Sequence, residues 1–246
     1  MAAKKPQAKS PQKKKSGPKT RKQKILRFLL KAILWFIGIT VFLVIVFKWV
    51  PIPWTPLMTI RGMETRKDGK EYVSRHDWVP IEEISVNMQK AVIASEDGNF
   101  LTHNGFDFNA IQKAMANNEK GKKIKGGSTI SQQTAKNVFL WQGRSYIRKG
   151  LEAYFTVLIE VIWGKERIME VYLNSIEMGD GVYGVEAASE YWYNKKASAL
   201  TKREAAGIAA ILPSPRRFKA SHSSNYIERR KTRIMKHMGY VRKLEY

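Results

Sequence analysis

An uninterrupted apolar run near the N-terminus constrains this chain more than any other feature. Residues Ala32–Phe47 carry no formal charge, and every one except Gly38 and Thr40 is strongly apolar or aromatic. At about 1.5 Å per residue the run spans roughly 24 Å, and the longer stretch Phe28–Val50 is sufficient to cross a hydrocarbon core of about 30 Å. Because the run is apolar on all sides, it is atypical of a helix packed on a soluble core. The sequence predicts one transmembrane helix over residues 28–50.

The basic residues around this helix predict its orientation. Residues 1–31 contain twelve Lys or Arg and no acid, whereas Lys48–Lys67 contains four basic residues. The positive-inside rule therefore places the N-terminus in the cytoplasm and the rest of the chain outside the membrane. A buried core helix and a cleavable signal peptide are the alternatives. The long basic region, and the lack of a small-residue cleavage site after the run, favour a membrane anchor.

The charge and the missing cysteines restrict the partners. The net charge is +23, and it falls to +11 when residues 1–31 are left out. A moderately basic domain suits phosphate groups or anionic lipid, with nucleic acid as the competing partner. Since an exported domain seldom meets nucleic acid, we predict none. Cysteine is absent, which excludes disulfides, thiolate nucleophiles and cysteine-based zinc sites.

The remaining pattern predicts four segments. Residues 1–27 form a basic cytoplasmic tail, residues 28–50 the transmembrane helix, residues 51–79 a linker with turns and a small hairpin, and residues 80–246 the main domain. Apolar periodicity in the main domain predicts helices, and strand signals are few. The expected helices run from Ser85 to Glu96, Thr129 to Phe139, Ile147 to Trp163 and Glu166 to Ile176, with a capping box at Thr201 and Glu204 and a basic loop at 117–127. The fold class is mainly α.

Two motifs of this domain suggest chemistry. Glu96–Asp107, with the sequence EDGNFLTHNGFD, places acids, a histidine and two glycines where a helix gives way to a loop. A partly desolvated carboxylate at such an edge suits general acid or base catalysis, although surface acids at a helix end would look the same. Gly126–Asn137, with the sequence GGSTISQQTAKN, places two glycines before hydroxyl residues and a helix. Free backbone N–H groups there suit an anion, although an ordinary capped turn would share the pattern.

Three weaker signals follow these motifs. Arg148 and Glu152 lie four residues apart on one helix face, where they can simply pair. Tyr172–Asn174 lies in a helix whose apolar residues are explained by core packing, and Leu212–Pro215 ends a helix of small residues. The four histidines are scattered and no metal-binding spacing occurs.

In this order and at these spacings, the motifs resemble one family, the peptidoglycan glycosyltransferases that polymerise lipid II. That family is marked by E-D-x-x-F-x-x-H-x-G-x-D, G-G-S-T-I-[ST]-Q-Q-x-x-K-N, R-K-x-x-E, a Y-L-N helix and a late L-P-x-x-P segment. The chain carries the last of these as LPSP, one residue shorter. The resemblance covers residues 80–218. Since no transpeptidase motif follows, the chain resembles the monofunctional biosynthetic form.

The resemblance implies both a fold and a reaction. The fold is a mainly α, lysozyme-like domain with a membrane-associated jaw, whose apolar surface we expect at Phe139, Leu140 and Trp141. In the reaction, the 4-hydroxyl of GlcNAc on lipid II attacks C1 of the terminal MurNAc on a glycan linked to undecaprenyl pyrophosphate. The centre inverts, a β-1,4 bond forms and undecaprenyl pyrophosphate leaves. The enzyme would work at the outer, periplasmic face of the bacterial inner membrane.

The resemblance also implies residue roles. Glu96 is the expected general base, and Glu152 the second catalytic carboxylate, which orients cations or assists the leaving group. Expected contacts to substrate come from a larger set: Lys136, Arg144, Arg148, Ser128, Thr129, Gln132, Gln133 and Asn137. Expected structural support of the site comes from Asp97, Phe100, His103, Gly105, Asp107, Gly126 and Gly127.

Several expectations concern partners and alternatives. The substrates imply contact with membrane lipid and with other cell-wall synthesis proteins. No cofactor and no protein-bound metal is implied, and a divalent cation loosely bound at the pyrophosphate stays open. Two rival functions also stay open at this point: a membrane-anchored, lysozyme-like glycan hydrolase and a non-catalytic scaffold for cell-wall assembly.

Overall fold

The protein is described by a computed structural model that covers residues 20–69, 71–119, 127–143, 145–241 and 243–246. The helices are α1 (Arg21–Val46), α2 (Pro56–Lys67), α3 (Val86–Glu96), α4 (Phe108–Glu119), α5 (Ile130–Phe139), α6 (Tyr146–Ile162), α7 (Gly164–Ser175), α8 (Val185–Tyr193), α9 (Lys202–Ile211) and α10 (Asn225–Met238). Short strands are β1 (Arg75–His76), β2 (Glu177–Gly179) and β3 (Val182–Tyr183), and two 3₁₀ turns occupy Ile81–Glu83 and Ala197–Ala199. The prediction of a mainly α protein is confirmed.

The N-terminal helix α1 is the one helix among the described residues that is long and apolar enough to cross a membrane. It has 26 residues, and most of its large apolar side chains are exposed to the surroundings. It begins at Arg21, seven residues before the predicted span, because Arg, Lys, Gln and Leu are good helix formers. It ends at Val46, and residues 47–50 form turns. The helix is compatible with single-pass membrane anchoring.

The segment after α1 differs from the expected linker with a hairpin. Pro56 opens helix α2, at the first-turn position where its missing N–H costs no helical hydrogen bond. Leu57 and Met58 are buried against Tyr183, and the Tyr72 hydroxyl bonds the Tyr183 hydroxyl at 3.1 Å. The sequence predicted turns and extended structure here because turn-forming residues dominate the segment. That expectation was wrong, because burial of the Leu57 and Met58 side chains stabilises a helix.

A three-stranded sheet joins this segment to the main domain. The strand order is β1-β3-β2, with β1 parallel and β2 antiparallel to β3. Asn174 is fully buried and adds to this connection. Its side-chain NH₂ group donates to the backbone carbonyl of Val79 at 2.8 Å, and its side-chain oxygen accepts from the backbone N–H of Val79 at 3.0 Å. The Y-L-N motif therefore serves packing, as its apolar neighbours suggested.

The predicted helices of the main domain are confirmed with their caps. Ser85 accepts a hydrogen bond from the amide of Asn87 at the start of α3. Complete capping boxes open α5 at Thr129 and α9 at Thr201, each with its reciprocal side-chain bond. The buried faces of α3, α5, α7 and α9 belong to one core, in which α3 packs on α9 and α5 packs on α7.

The expected apolar surface of a jaw is only partly present. Phe139 stacks on Phe155 with ring centroids 4.5 Å apart, and Leu140 is 3% exposed. Both therefore belong to the core, and this part of the expectation was wrong; Trp141 is exposed. Exposed apolar side chains lie instead along α6, at Tyr146, Ile147, Val157 and Val161. The basic loop expected at 117–127 lies largely outside the described residues.

Candidate active site

Glu96 stands at the last position of α3, at the edge of an open cleft of about 580 Å³. Its side chain is partly exposed. One carboxylate oxygen accepts a hydrogen bond from the Ser95 hydroxyl at 3.1 Å, and the other accepts one from the Gln133 amide at 3.3 Å. Both donors are neutral, and a carboxylate has further acceptor positions. Glu96 can therefore still accept a proton from a molecule in the cleft.

The next residue, Asp97, is buried and fixes the junction of α3 and α5. Its carboxylate accepts from the backbone amide of Ile130 at 2.9 Å and from His103 Nε2 at 2.9 Å. The amide of Gly105 donates to His103 Nδ1 at 3.1 Å, which assigns the proton of the neutral ring to Nε2. Asp97 thus supplies an acceptor for one of the free N–H groups at the start of α5.

Gly105 is required by its backbone conformation and by close packing. Its φ is +87°, and a Cβ there would lie 2.7 Å from Thr156 Cγ2 and 3.1 Å from Glu160 Cγ. Its carbonyl accepts from the Thr129 hydroxyl at 2.7 Å. The loop is thereby bound to both α5 and α6.

Asp107 and Phe100 complete this loop. Asp107 accepts from the amide of Ala110 at 2.8 Å, which caps α4, and from the Asn99 side chain at 2.7 Å. These hydrogen bonds, first that from Ala110, hold the pKa of the Asp107 carboxyl below its usual value. Phe100 is fully buried, with the Lys165 ammonium 4.7 Å from its ring centroid.

The start of α5 combines buried and exposed groups. Thr129 and Gln132 are buried and each side chain bonds the backbone amide of the other in the capping box, and neither residue lines the cleft at Glu96. Ser128 is exposed and lines the cleft beside Glu96. A Cβ on Gly127 would lie 3.3 Å from the Cα of Ile111, so this turn packs tightly on α4. Gly126 lies outside the described residues.

Further along α5, Lys136 lies one helical turn beyond Gln133. It is therefore about 4.5 Å along the axis from the residue that bonds Glu96. Within the part of the chain that is described, its ammonium has no hydrogen-bond acceptor. Burial, followed by repulsion from Arg148 and Lys149, lowers the pKa of Lys136, and attraction to Glu152 opposes the shift. Asn137 is buried beside it.

Glu152 is bound by two cations of its own helix. It is 3% exposed, and its carboxylate accepts from Arg148 at 2.8 Å through one oxygen and from Lys149 at 2.5 Å through the other. Arg148 also donates to the carbonyl of Gly143 at 2.8 Å. This arrangement holds positive charge next to Lys136. Arg144, expected in the same cluster, lies outside the described residues.

Sequence reasoning missed the opposite wall of the cleft. Arg230, Arg233 and His237 of α10 line the cleft with Glu96. Arg230 donates to the Ser95 hydroxyl at 3.4 Å, while its buried Nε has no partner in the described part of the chain. The sequence indicated only that these three side chains share one helix face, since positions separated by three and four residues lie on the same side of a helix.

Lys149, the second residue of the R-K-x-x-E motif, is a second residue to which sequence reasoning gave no role. It lines an adjoining cavity of about 280 Å³ on the other side of Ser128, together with Gly127, Gln132 and Met115. Ser128 belongs to both linings. The exposed Ser128 hydroxyl therefore lies between two cavities, each of which is lined in part by basic side chains.

No group of three or more His, Asp or Glu side chains within the described ranges is arranged to hold a metal ion. The expectation of a reaction without cofactor or protein-bound metal stays a prediction.

Known proteins resemble this chain over most of its length. The model of the transglycosylase family matches residues 63–239. The chain is 53% identical to the biosynthetic peptidoglycan transglycosylase of Bdellovibrio bacteriovorus, covering 88% of this chain and 87% of that one. It is 50% identical to the protein of that name in Pseudomonas syringae pv. syringae, covering 91% and 95%, and 52% identical to the one in Caulobacter vibrioides, covering 90% and 94%. The chain belongs to the transglycosylase family.

Proposed function

We propose that this chain is an inverting glycosyltransferase that polymerises lipid II into β-1,4-linked peptidoglycan strands and releases undecaprenyl pyrophosphate. One observation supports this most directly. The Glu96 carboxylate bonds Gln133, and the helix that carries Gln133 also carries Lys136 beside the Arg148, Lys149 and Glu152 cluster. Helix α5 therefore bonds the base through Gln133 and carries Lys136, one cation of the site for a leaving diphosphate.

Glu96 is the general base of this proposal. As the 4-hydroxyl oxygen of GlcNAc forms its bond to C1 of the donor MurNAc, the hydroxyl proton passes to Glu96. The bond from C1 to the phosphate oxygen breaks on the opposite face, so the centre inverts. An alcohol is too weak an acid to ionise beforehand, which makes proton transfer concerted with attack.

Lys136, Arg148 and Lys149 stabilise the charge that develops on the leaving diphosphate, and we assign Arg144 to the same group on the strength of its motif. Charge-assisted hydrogen bonds aimed at developing charge supply a large part of transition-state stabilisation. Glu152 has both oxygens occupied by cations, which fits a role in orienting Arg148 and Lys149 rather than in accepting a proton.

The cations of α10 give the acceptor substrate a site of its own. Both substrates of this reaction carry a diphosphate: the lipid II that acts as the acceptor and the lipid-linked glycan that acts as the donor. Arg230 and Arg233 line the cleft together with Gln133 of α5, and their guanidinium groups can donate charge-assisted hydrogen bonds to phosphate oxygens. We assign the acceptor diphosphate to this wall, which leaves the Lys136 side for the donor.

The remaining residues divide into contact and support. Ser128 and Gln133 line the cleft and contact the sugars, and we retain Asn137 as a contact at the buried end. Thr129 and Gln132 build the helix start, because their polar groups satisfy each other. Support of the Glu96 loop falls to Asp97, Phe100, His103, Gly105 and Asp107, and support of the α5 turn to Gly126 and Gly127.

Membrane anchoring matches lipid-borne substrates. The excess of basic residues before the apolar run of α1 favours an N-terminus in the cytoplasm and a catalytic domain on the periplasmic side. Confining enzyme and substrates to one bilayer raises their effective concentration.

The test is a lipid II polymerisation assay on the full chain. Glu96→Gln keeps the shape of the side chain but cannot accept the proton, and we expect a loss of roughly 10²–10⁴-fold. Glu82→Gln, an exposed glutamate of the 3₁₀ turn, is the matched control and should retain wild-type activity. Absence of polymer from the wild-type chain would reject the proposal.

The same preparations separate the two rival functions. A glycan hydrolase would cut finished strands, a reaction that needs no cations for a sugar leaving group, whereas we expect finished strands to stay intact. A non-catalytic scaffold would support cell-wall assembly equally well with Glu96→Gln, whereas we expect that variant to fail in cells.

A further inference from the structure

Side chains from the main domain bond one carbonyl group near the end of α1 and two in the turn that follows it. In a regular helix the amide of Lys48 would bond Val44, but it donates to Ile45 instead. The freed carbonyl of Val44 accepts from Trp163 Nε1 at 2.7 Å, at a site where Val44 is fully buried. Trp163 thus supplies a donor that the end of a helix normally lacks.

Arg167 binds the turn that follows. Its guanidinium donates to the carbonyl of Phe47 from Nε at 3.1 Å and from one terminal nitrogen at 2.9 Å, and that same nitrogen donates to the carbonyl of Val50 at 2.7 Å. Glu170 holds the other terminal nitrogen at 2.9 Å, and the ring of Trp78 lies 5.1 Å from the guanidinium carbon. The planar fork of arginine suits such several-point contact, which lysine cannot reproduce.

The same segment reaches the helix that carries the site. Phe47 packs on Phe139, the last residue of α5, with ring centroids 6.2 Å apart. Phe139 also contacts Phe155 of α6 and, at 6.0 Å, Trp163. Lys136 lies three residues before Phe139, so a single packed cluster connects the turn after α1 to the proposed diphosphate site.

We infer that Trp163 and Arg167 are positioning residues that attach the exit segment, Leu43–Val50, rigidly to the catalytic domain. This inference rests on the proposed function, in which both substrates are confined to the bilayer. A rigid attachment limits how the groove is presented to lipid-borne groups, and a displacement of about 1 Å can cost up to 10²-fold in rate.

The activity test compares two media with the full chain. Polymerisation of lipid II is measured in vesicles of phosphatidylethanolamine and phosphatidylglycerol and in detergent micelles. Trp163→Phe keeps the ring but removes the N–H donor, and Arg167→Lys keeps the charge but loses the fork. For the double variant we expect the ratio of vesicle rate to micelle rate to fall roughly tenfold or more, because micelles let substrates approach from any direction.

Matched controls remove the same groups elsewhere. Trp192→Phe deletes an indole bond to the carbonyl of Met178, and Arg203→Lys alters an exposed arginine that pairs with Glu228. Neither contacts the exit segment, so both should leave the ratio unchanged. A merely structural role for Trp163 and Arg167 would lower both rates in proportion. An unchanged ratio in the double variant overturns the inference, whether the individual rates fall or not.

A second readout needs no activity. The chain contains no cysteine, so spin labels can be attached at Val50→Cys and Lys202→Cys, two exposed positions. In lipid nanodiscs we expect one narrow distance distribution for the wild-type background and a broad one for the double variant. A broad distribution in the wild-type background would overturn the attachment. A narrow one in a chain that makes no polymer in either medium would reject the proposed function while supporting the attachment.

Discussion

Replacing Asp97 by alanine should destabilise the protein strongly, because one buried carboxylate serves two buried donors. Asp97 is 6% exposed and accepts from the Ile130 amide and from His103 Nε2. The substitution leaves both donors without an acceptor. A buried donor left unsatisfied costs about 1–3 kcal/mol, so the free energy of unfolding should fall by roughly 2–6 kcal/mol.

Asp97→Asn should destabilise the protein less than Asp97→Ala, since its amide oxygen can still accept from one donor while its NH₂ group faces the other. About half of that loss is expected, roughly 1–3 kcal/mol. Asp180→Asn is the matched control: its side chain is 69% exposed and pairs with Arg216 at 3.0 Å. Exposed ion pairs contribute little, so this variant should stay within about 0.5 kcal/mol of the wild type.

The measurement is denaturant unfolding of the full chain in detergent, followed by tryptophan fluorescence and circular dichroism. If Asp97→Ala unfolds within about 0.5 kcal/mol of the wild type, the reasoning that unsatisfied donors at this junction are costly is refuted. The same is true if Asp97→Asn and Asp97→Ala are indistinguishable, because the retained acceptor would then have no effect.

Three further predictions concern a glycine, a pH profile and a helix cap. Gly105→Ala should lower the thermal unfolding midpoint, because the positive φ strains the new Cβ and this atom also meets Thr156. Each of the two sources of strain should lower the free energy of unfolding by about 1–3 kcal/mol. Gly98→Ala is the control, because its Cβ meets nothing within 4 Å. Burial lowers the pKa of Lys136. The polymerisation rate should therefore decline as pH rises through that lowered pKa, because the ammonium loses its charge. Lys136→Arg should shift this decline to higher pH in the pH–rate profile, and an unshifted decline would exclude Lys136 as its cause. Thr201→Ala removes the capping box of α9 and should cost about 1 kcal/mol in denaturant unfolding, whereas no measurable loss would mean that packing alone holds the helix start.

The lowered pKa of Asp107 determines how this carboxyl changes the free energy of unfolding in acid. Its folded pKa lies below the unfolded value of about 3.9, so its contribution is present above that value and is lost as pH falls through the folded pKa. Protonation of Asp107 therefore destabilises the folded state only in acid, and the contribution of this side chain is fully present at neutral pH.

Local sequence determined the elements whose causes are local. The apolar run of α1 needs no partner to be recognised, and the caps at Ser85, Thr129 and Thr201 depend on side chains within three residues of the backbone groups they satisfy. The motifs around Glu96 and Lys136 also indicated the chemistry, since residue types and spacings along one chain carry that information.

Only the tertiary structure decided which distant groups meet. Helix α2 forms because Leu57 and Met58 are buried against Tyr183, more than a hundred residues away. Arg230 and Arg233 reach the Glu96 cleft only because α10 packs on α3 and α9. Glu152, an acid that the motif marked as catalytic, has both oxygens occupied by neighbouring cations. Long-range packing and the competition of buried groups for partners are properties of the folded chain, and no local pattern of residues encodes them.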